Sequence, residues 1–334
     1  MNLLPKASGT RPRLACEIAP EGVTAARAAT AEAPLDSVAG VPLAPGAVMP
    51  SLKPGNLADR VAVIAAIRRA LESIDVRPGR GAIRPNSRGA DLTIVIPDAA
   101  ARVLLLDFDA LPAKLTEALP IVRFRLKKLL PFEADDAMIS YQVMSSSRSA
   151  VRVLAVAIPR DILVEYETAV REAGFEPGAV LPSTLAALAG LAAAGPSLVV
   201  NASHAGITTA ITREGVLLLH RSVDLQPQPA GIDAADPLPL QPLSPDDLAN
   251  EIAQAVSVAV AYFEDTLSAL PSTILSAGTL TAESLRHVLS RNGYSEADAL
   301  QVRELIDSSA FSVGAVTGSI SPGSLAGVRG ALRG

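Results

Sequence analysis

The sequence has no tryptophan, one cysteine and few aromatic residues, which make up 3% of its 334 residues. The single cysteine, Cys16, excludes an intramolecular disulfide and any zinc site built from several cysteines. Apolar residues make up 49% of the chain, so the predicted core consists mainly of small aliphatic side chains. The net charge of −5 argues against nonspecific nucleic-acid binding, which needs a basic surface.

Charged residues are also missing between Pro177 and Thr212, and residues 181–200 are long enough to span a bilayer. Pro182 opens that stretch, however, and Gly195-Pro196 interrupts it. We therefore predict a short buried helix followed by a buried strand. The N-terminus does not have the pattern of a signal peptide, so we expect a soluble, cytoplasmic chain.

Two segments, residues 14–26 and 198–210, repeat one pattern 184 residues apart. Each predicts a buried strand that ends in a polar residue, a tight turn, and a second strand that begins near a glycine. Such a repeat indicates that two similar halves open with the same supersecondary unit. The corresponding residues are Glu17, Gly22 and Thr24 in the first copy and Asn201, Gly206 and Thr208 in the second.

The rest of the chain predicts an α/β protein with two lobes and an insertion. Strands at 103–106, 139–143 and 151–158, with helices at 115–130 and 161–173, indicate a small separate unit. A late strand at 273–276 is followed by the turn Ala277-Gly278-Thr279 and a helix. The predicted divisions are a tail (1–13), a first lobe (14–196, with 14–101 and 181–196 as its core and 102–180 inserted) and a second lobe (197–334).

Two strand–turn–strand units and a late strand–glycine turn–helix are the layout of the actin/hexokinase/Hsp70 fold, a duplication of ribonuclease H-like lobes. In that layout the two hairpin turns bracket the phosphates of a nucleotide, and the late turn lies against the adenosine. An acidic residue at the end of each first strand holds waters of a hydrated magnesium ion. Glycine in each turn lets backbone N–H groups approach the phosphate oxygens.

The chain resembles the PilM family of actin-like type IV pilus assembly proteins, which is related to the cell-division protein FtsA. The resemblance rests on the order and spacing of several segments along nearly the whole chain. They include Leu130-Pro131-Phe132-Glu133, Ile139-Ser140-Tyr141-Gln142-Val143 and Ala173-Gly174-Phe175-Glu176-Pro177.

The resemblance implies a site for ATP with magnesium at the three turns. Its residues would be Glu17, Ala19 and Gly22 in the first turn, Asn201, Ser203, Gly206 and Thr208 in the second, and Ala277, Gly278 and Thr279 in the late turn.

The three turns depart from the family pattern in ways that weaken such a site. Glu17 and Asn201 stand where the family has aspartate, and an asparagine offers magnesium no full charge. Pro20 removes a backbone donor from the first turn, and Glu21 adds a negative charge near the expected phosphate. The late turn keeps one glycine, Gly278, where the family has consecutive glycines. We therefore predict no hydrolysis, weak or lost ATP binding, and neither a catalytic residue nor a protein ligand to a metal.

The resemblance also implies a scaffold in the pilus inner-membrane complex, peripheral to the membrane. In the family, the membrane protein PilN inserts an N-terminal cytoplasmic peptide with an Asn-Leu-Leu-Pro core into a groove of the actin-like protein. This chain carries Asn2-Leu3-Leu4-Pro5 on its own tail, so we hypothesise that the tail competes for the groove. An ATP-binding ATPase or kinase of this fold, a filament-forming bacterial actin and a homo-oligomer stay open as alternatives.

Overall fold

The structure, a computed structural model, describes residues 12–76, 91–147, 149–191, 195–225, 228–229, 240–241, 244–292, 301–312, 314–317 and 320–333. The predicted N-terminal tail (1–13) lies mostly outside the described residues, as does most of the interval 226–245, and residues 77–89 lie wholly outside them.

The secondary structure follows the chain as strands and helices numbered in order. The strands are β1 (Leu14–Ala19), β2 (Gly22–Ala28), β3 (Leu35–Pro42), β4 (Asp91–Ile96), β5 (Arg102–Phe108), β6 (Ala137–Ser146), β7 (Val151–Pro159), β8 (Glu176–Pro182), β9 (Ser197–Ser203), β10 (Gly206–Arg213), β11 (Val216–Asp224), β12 (Gln228–Pro229), β13 (Leu240–Gln241), β14 (Thr273–Gly278), β15 (Gln301–Glu304) and β16 (Val316–Thr317). The helices are α1 (Arg60–Ser73), α2 (Leu115–Leu126), α3 (Arg160–Glu172), α4 (Ser183–Ala189), α5 (Pro245–Leu267), α6 (Ala282–Arg291) and α7 (Ala326–Ala331).

Two mixed sheets form the body of the protein. The first sheet has the strand order β16-β3-β2-β1-β4-β8, and the second has the order β11-β10-β9-β14-β15. Their central strands β4 and β9 are nearly continuous apolar runs, because both faces of each sheet are covered. Helix α1 packs on one face of the first sheet through residues such as Ile67 and Leu71, and α5 packs on the second sheet through Val256 and Phe263.

The strand register confirms the predicted repeat. In the first hairpin Glu17 lies opposite Thr24 and Ala19 opposite Gly22. In the second hairpin the equivalent pairs, Asn201 with Thr208 and Ser203 with Gly206, lie opposite each other in the same way. Each hairpin also pairs in parallel with a later strand, β4 in the first sheet and β14 in the second. Both sheets are therefore built on one supersecondary unit, and their two turns occupy equivalent positions.

The predicted inserted unit is present as a third sheet with the order β5-β7-β6. Helix α2 covers one face of it through Ala118, Val122 and Leu126. The exact divisions between lobes stay predictions. One short strand lies outside its predicted lobe. The prediction placed residues 197–334 in the second lobe, whereas β16 pairs with β3 of the first sheet.

The long uncharged stretch folds as predicted, with helix α4 followed by strand β9. Helix α4 packs against α7, which returns from the end of the chain. Their backbones are in such close contact that a Cβ atom on Gly330 would lie 1.7 Å from the carbonyl oxygen of Ala186. Within the described ranges, no helix is both long enough and apolar enough to cross a membrane.

Candidate functional site

A cavity of about 670 Å³ lies between the two sheets, at the hairpin turns and the late turn. Nine of the ten predicted site residues line its wall: Glu17, Ala19, Gly22, Asn201, Ser203, Gly206, Thr208, Gly278 and Thr279. The tenth, Ala277, is buried in β14 beside Asn201 of β9 and is not part of the wall. The structure thus brings the three predicted turns together in one cleft.

Glu17 lies two residues before the end of β1, where the prediction had placed it at the strand's end, and its carboxylate is already engaged. Its Oε1 accepts a hydrogen bond of 2.6 Å from the Ser183 hydroxyl at the start of α4. Helix α7 covers the other oxygen, since a Cβ atom on Gly327 would lie 2.4 Å from Oε2. The pKa of Glu17 is raised to about 7, chiefly by burial; the Ser183 hydrogen bond lowers it, and the charges of Glu21 and Asp98 add to the rise.

Glu17→Gln is expected to change how stability depends on pH. Between pH 4.5 and 7 the folded protein binds more protons at Glu17 than the unfolded chain, so this group's contribution to stability falls as pH rises. We expect the unfolding free energy of the variant, relative to that of wild type, to rise by about 2 kcal/mol from pH 5 to pH 8. The figure is reduced because the Glu17 side chain is partly exposed to the cavity. Urea unfolding at both pH values measures the gain, with exposed Glu72→Gln as the control. The same difference in unfolding free energy between variant and wild type at both pH values would contradict this prediction.

Asn201, which the sequence analysis assigned to the second turn, lies in strand β9, is buried and acts as a hydrogen-bond donor. Its Nδ2 donates to the Thr184 hydroxyl at 2.9 Å and to the Ser183 hydroxyl at 3.3 Å. Because both partners follow β8, these bonds connect the second sheet to the first. The amide therefore stands in a network of hydroxyl groups, where the family pattern has a carboxylate.

Asp98 is a cleft residue that the sequence interpretation missed. Its Oδ2 accepts hydrogen bonds from the Thr184 hydroxyl and, at 2.9 Å, from the Thr208 hydroxyl, while Oδ1 accepts the Thr184 backbone N–H at 3.1 Å. Asp98 comes two residues after β4, a parallel neighbour of β1. An acid directly after a buried parallel strand was the available signal, because the carboxyl ends of such strands meet at one edge.

Glu21 bridges the two hairpin turns at the mouth of the cleft. Its Oε1 accepts the backbone N–H of His204 in the second turn and lies 3.5 Å from His204 Nδ1. The imidazole itself is 70% exposed. Glu21 therefore places a carboxylate at a backbone donor that a bound phosphate would use in this fold.

The late turn is tightly packed. Gly278 has φ of +80°, and a Cβ atom there would lie 2.0 Å from the carbonyl oxygen of Ala202. Thr279 donates its backbone N–H to that same oxygen at 2.8 Å. The segment before α7 lies against the turn, because the Ser324 hydroxyl donates to the Gly278 carbonyl at 3.3 Å.

These residues do not fit a magnesium-bound triphosphate. Four carboxylates lie on the cavity wall, and no Lys, Arg or His side chain does among the residues that the structure describes. The carboxylates are Glu17, Glu21, Asp98 and Asp224. Pro20 has no N–H, the His204 N–H is bound to Glu21, and Glu17 and Asp98 already accept hydroxyl donors. The phosphates would therefore meet repulsion from the wall without a compensating protein cation among its described residues.

The duplicated hairpins, the cleft between two sheets and the inserted unit define a two-lobed, actin-like α/β protein. Among solved structures, a PilM–PilN type IV pilus biogenesis complex matches with a TM-score of 0.71 at 15% identity, over 97% of this chain and 98% of that chain. At this identity the match concerns the fold.

Two other solved structures match with lower TM-scores. One is the cytoplasmic domain of EpsL, an inner-membrane component of the type II secretion system of Vibrio cholerae (TM-score 0.45, 11% identity, 79% of this chain and 81% of that chain). The other is a protein of unknown function with an actin-like ATPase fold from Bacteroides thetaiotaomicron (TM-score 0.47, 9% identity, 93% and 96%). No protein-family model matches the chain, and no curated protein matches it by sequence.

Proposed function

We propose that this protein is a cytoplasmic scaffold of a type IV pilus or related secretion assembly at the inner membrane. It docks the N-terminal cytoplasmic peptide of a PilN-like membrane protein, and its nucleotide site is weak or lost. The observation that carries the proposal is the match in fold, over 97% of the chain, to a protein solved in complex with PilN. The carboxylate-lined cleft supports the second part of the proposal, because it argues against ATPase or kinase chemistry.

The inserted unit exposes large apolar side chains, which suit contact with an extended apolar peptide. Seven of the twelve large apolar side chains exposed in the described chain lie in the interval 115–164, and they include Phe124, Met138 and Val143. Strand β6 is at the edge of its sheet, where backbone groups are available for pairing with another chain. We propose that the peptide adds to this edge and that Met138 contacts its leucines.

The test is a titration of the full chain with a fluorescein-labelled peptide of sequence Met1–Gly9, which contains the Asn-Leu-Leu-Pro core. We expect saturable binding, about tenfold weaker for Met138→Asp and unchanged for Val258→Asp, a similarly exposed apolar residue on α5. A chain that lacks residues 1–9 should bind more tightly, because its tail no longer competes.

The other outcomes separate the parts of this proposal. Equal affinity for the full and shortened chains would remove tail competition alone. Equal weakening by both aspartate substitutions would contradict docking at β6. A peptide that binds neither chain would contradict docking of an Asn-Leu-Leu-Pro core by this protein.

A further inference from the structure

We propose that polar side chains of the cleft fix the orientation of the two sheets without a nucleotide or a metal ion. In a protein that uses this cleft for ATP, the bound phosphates and cation bridge the two halves. Here the chain supplies the bridging groups itself. This inference does not depend on the partner proposed above.

The deep part of the bridge is a chain of hydrogen bonds in which, with Glu17 and Asp98 ionised, each hydroxyl proton has one direction. The Ser183 hydroxyl gives its proton to Glu17, and the Thr184 hydroxyl gives its proton to Asp98. Each hydroxyl is then left with lone pairs, and both accept from the Asn201 amide of the second sheet. An amide donor satisfies both hydroxyls at once, and no ligand is required to complete the network.

A second deep bond crosses the cleft from strand β10. The Thr208 hydroxyl donates to Asp98 at 2.9 Å, and Thr208 is almost fully buried. Asp98 thus accepts from both sides of the cleft, from Thr184 of the first half and from Thr208 of the second. Hydrogen bonds to a carboxylate in a buried setting are stronger than neutral ones, so this junction resists separation of the sheets.

Two further contacts bridge the halves at the rim. Glu21 of the first turn accepts the His204 N–H of the second turn. Arg102 of the inserted unit forms an ion pair of 3.4 Å with Asp224 of β11. Hydrogen bonds deep in the cleft and contacts at two points of its rim together prevent the two halves from rotating about any single contact. The inserted unit therefore keeps one orientation relative to the second sheet.

The experiment measures the distance between spin labels on the two halves by double electron–electron resonance on the full chain. Spin labels are attached at Glu72→Cys on α1 and Gln254→Cys on α5, which are both exposed, while the native Cys16 is buried and does not compete for label. We expect one narrow distance distribution without nucleotide, and the same distribution with Mg-ATP.

Two neighbouring threonines of β10 provide a matched pair of variants. Thr208→Val removes the bond to Asp98 and a second one to Ser222 of the same sheet, whereas Thr209→Val removes a buried hydroxyl that has no hydrogen-bond partner among the described residues. Thr208→Val should broaden the distribution and lower the melting temperature by roughly 2–4 °C, and Thr209→Val should do neither. Glu21→Ala combined with Thr208→Val should broaden it further.

The inference would be overturned by either of two results. One is a broad wild-type distribution that narrows or shifts when Mg-ATP is added. The other is a distribution for the combined variant that superimposes on that of Thr209→Val.

Discussion

Asn201→Asp is expected to destabilise the folded protein by about 3 kcal/mol or more, although the two side chains have nearly the same shape. The Ser183 and Thr184 hydroxyls both direct their protons to carboxylates, so each presents a lone pair to position 201. An aspartate there would face two acceptors and would add a third negative charge beside Glu17 and Asp98. The substitution that brings in the aspartate of the PilM family, which the sequence resembles, is therefore expected to cost more than the loss of the amide alone.

The comparison with Asn201→Ala makes that prediction specific. Alanine removes the same two donors without adding a charge, so it should cost about 1–3 kcal/mol, less than aspartate. Urea unfolding of the two variants and wild type at pH 8 measures both costs. If Asn201→Asp were as stable as Asn201→Ala, the proton directions assigned to Ser183 and Thr184 would be wrong.

Gly278→Ala is expected to cost about 3 kcal/mol or more, and Gly46→Ala only about 1 kcal/mol. The two glycines have almost the same backbone conformation, with φ of +80° and +84°. A Cβ atom on Gly278 would lie 2.0 Å from the Ala202 carbonyl oxygen, whereas a Cβ atom on Gly46 meets nothing within 4 Å. The difference between the two variants therefore isolates the close approach of the late turn to strand β9.

Thermal and urea unfolding of both glycine variants checks this prediction. A large loss confined to Gly278→Ala is the expected result. Equal losses would mean that backbone strain alone accounts for the need for glycine, and that the late turn has room beside Ala202.

The sequence was sufficient to predict the fold because its signals are local and repeated. The spacing of 184 residues between Glu17 and Asn201 is reproduced in the register of both hairpins. Helix α5 begins at Pro245, directly after Ser244, and the Ser244 hydroxyl accepts the Asp247 N–H at 3.2 Å, a local N-cap signal in the sequence. Each such pattern is formed by residues close together in the sequence, so it can be recognised without knowledge of the tertiary structure.

The bridge across the cleft could not be predicted in the same way. Asp98 and Thr184 are 86 residues apart, and each follows the end of a strand with no motif of its own. Only the order of strands in the sheet brings them together, and the sequence pattern does not give that order. The same reason explains β16, whose two residues carry no strand pattern and depend on pairing with β3.

The most direct test of the account is the dissociation constant of the Met1–Gly9 peptide for the chain lacking residues 1–9, measured with and without saturating Mg-ATP. The account predicts the same dissociation constant in both conditions, because side chains of the cleft fix the orientation of the two sheets. The docking surface therefore does not require a bound nucleotide. Binding that appears or tightens only with Mg-ATP would contradict it.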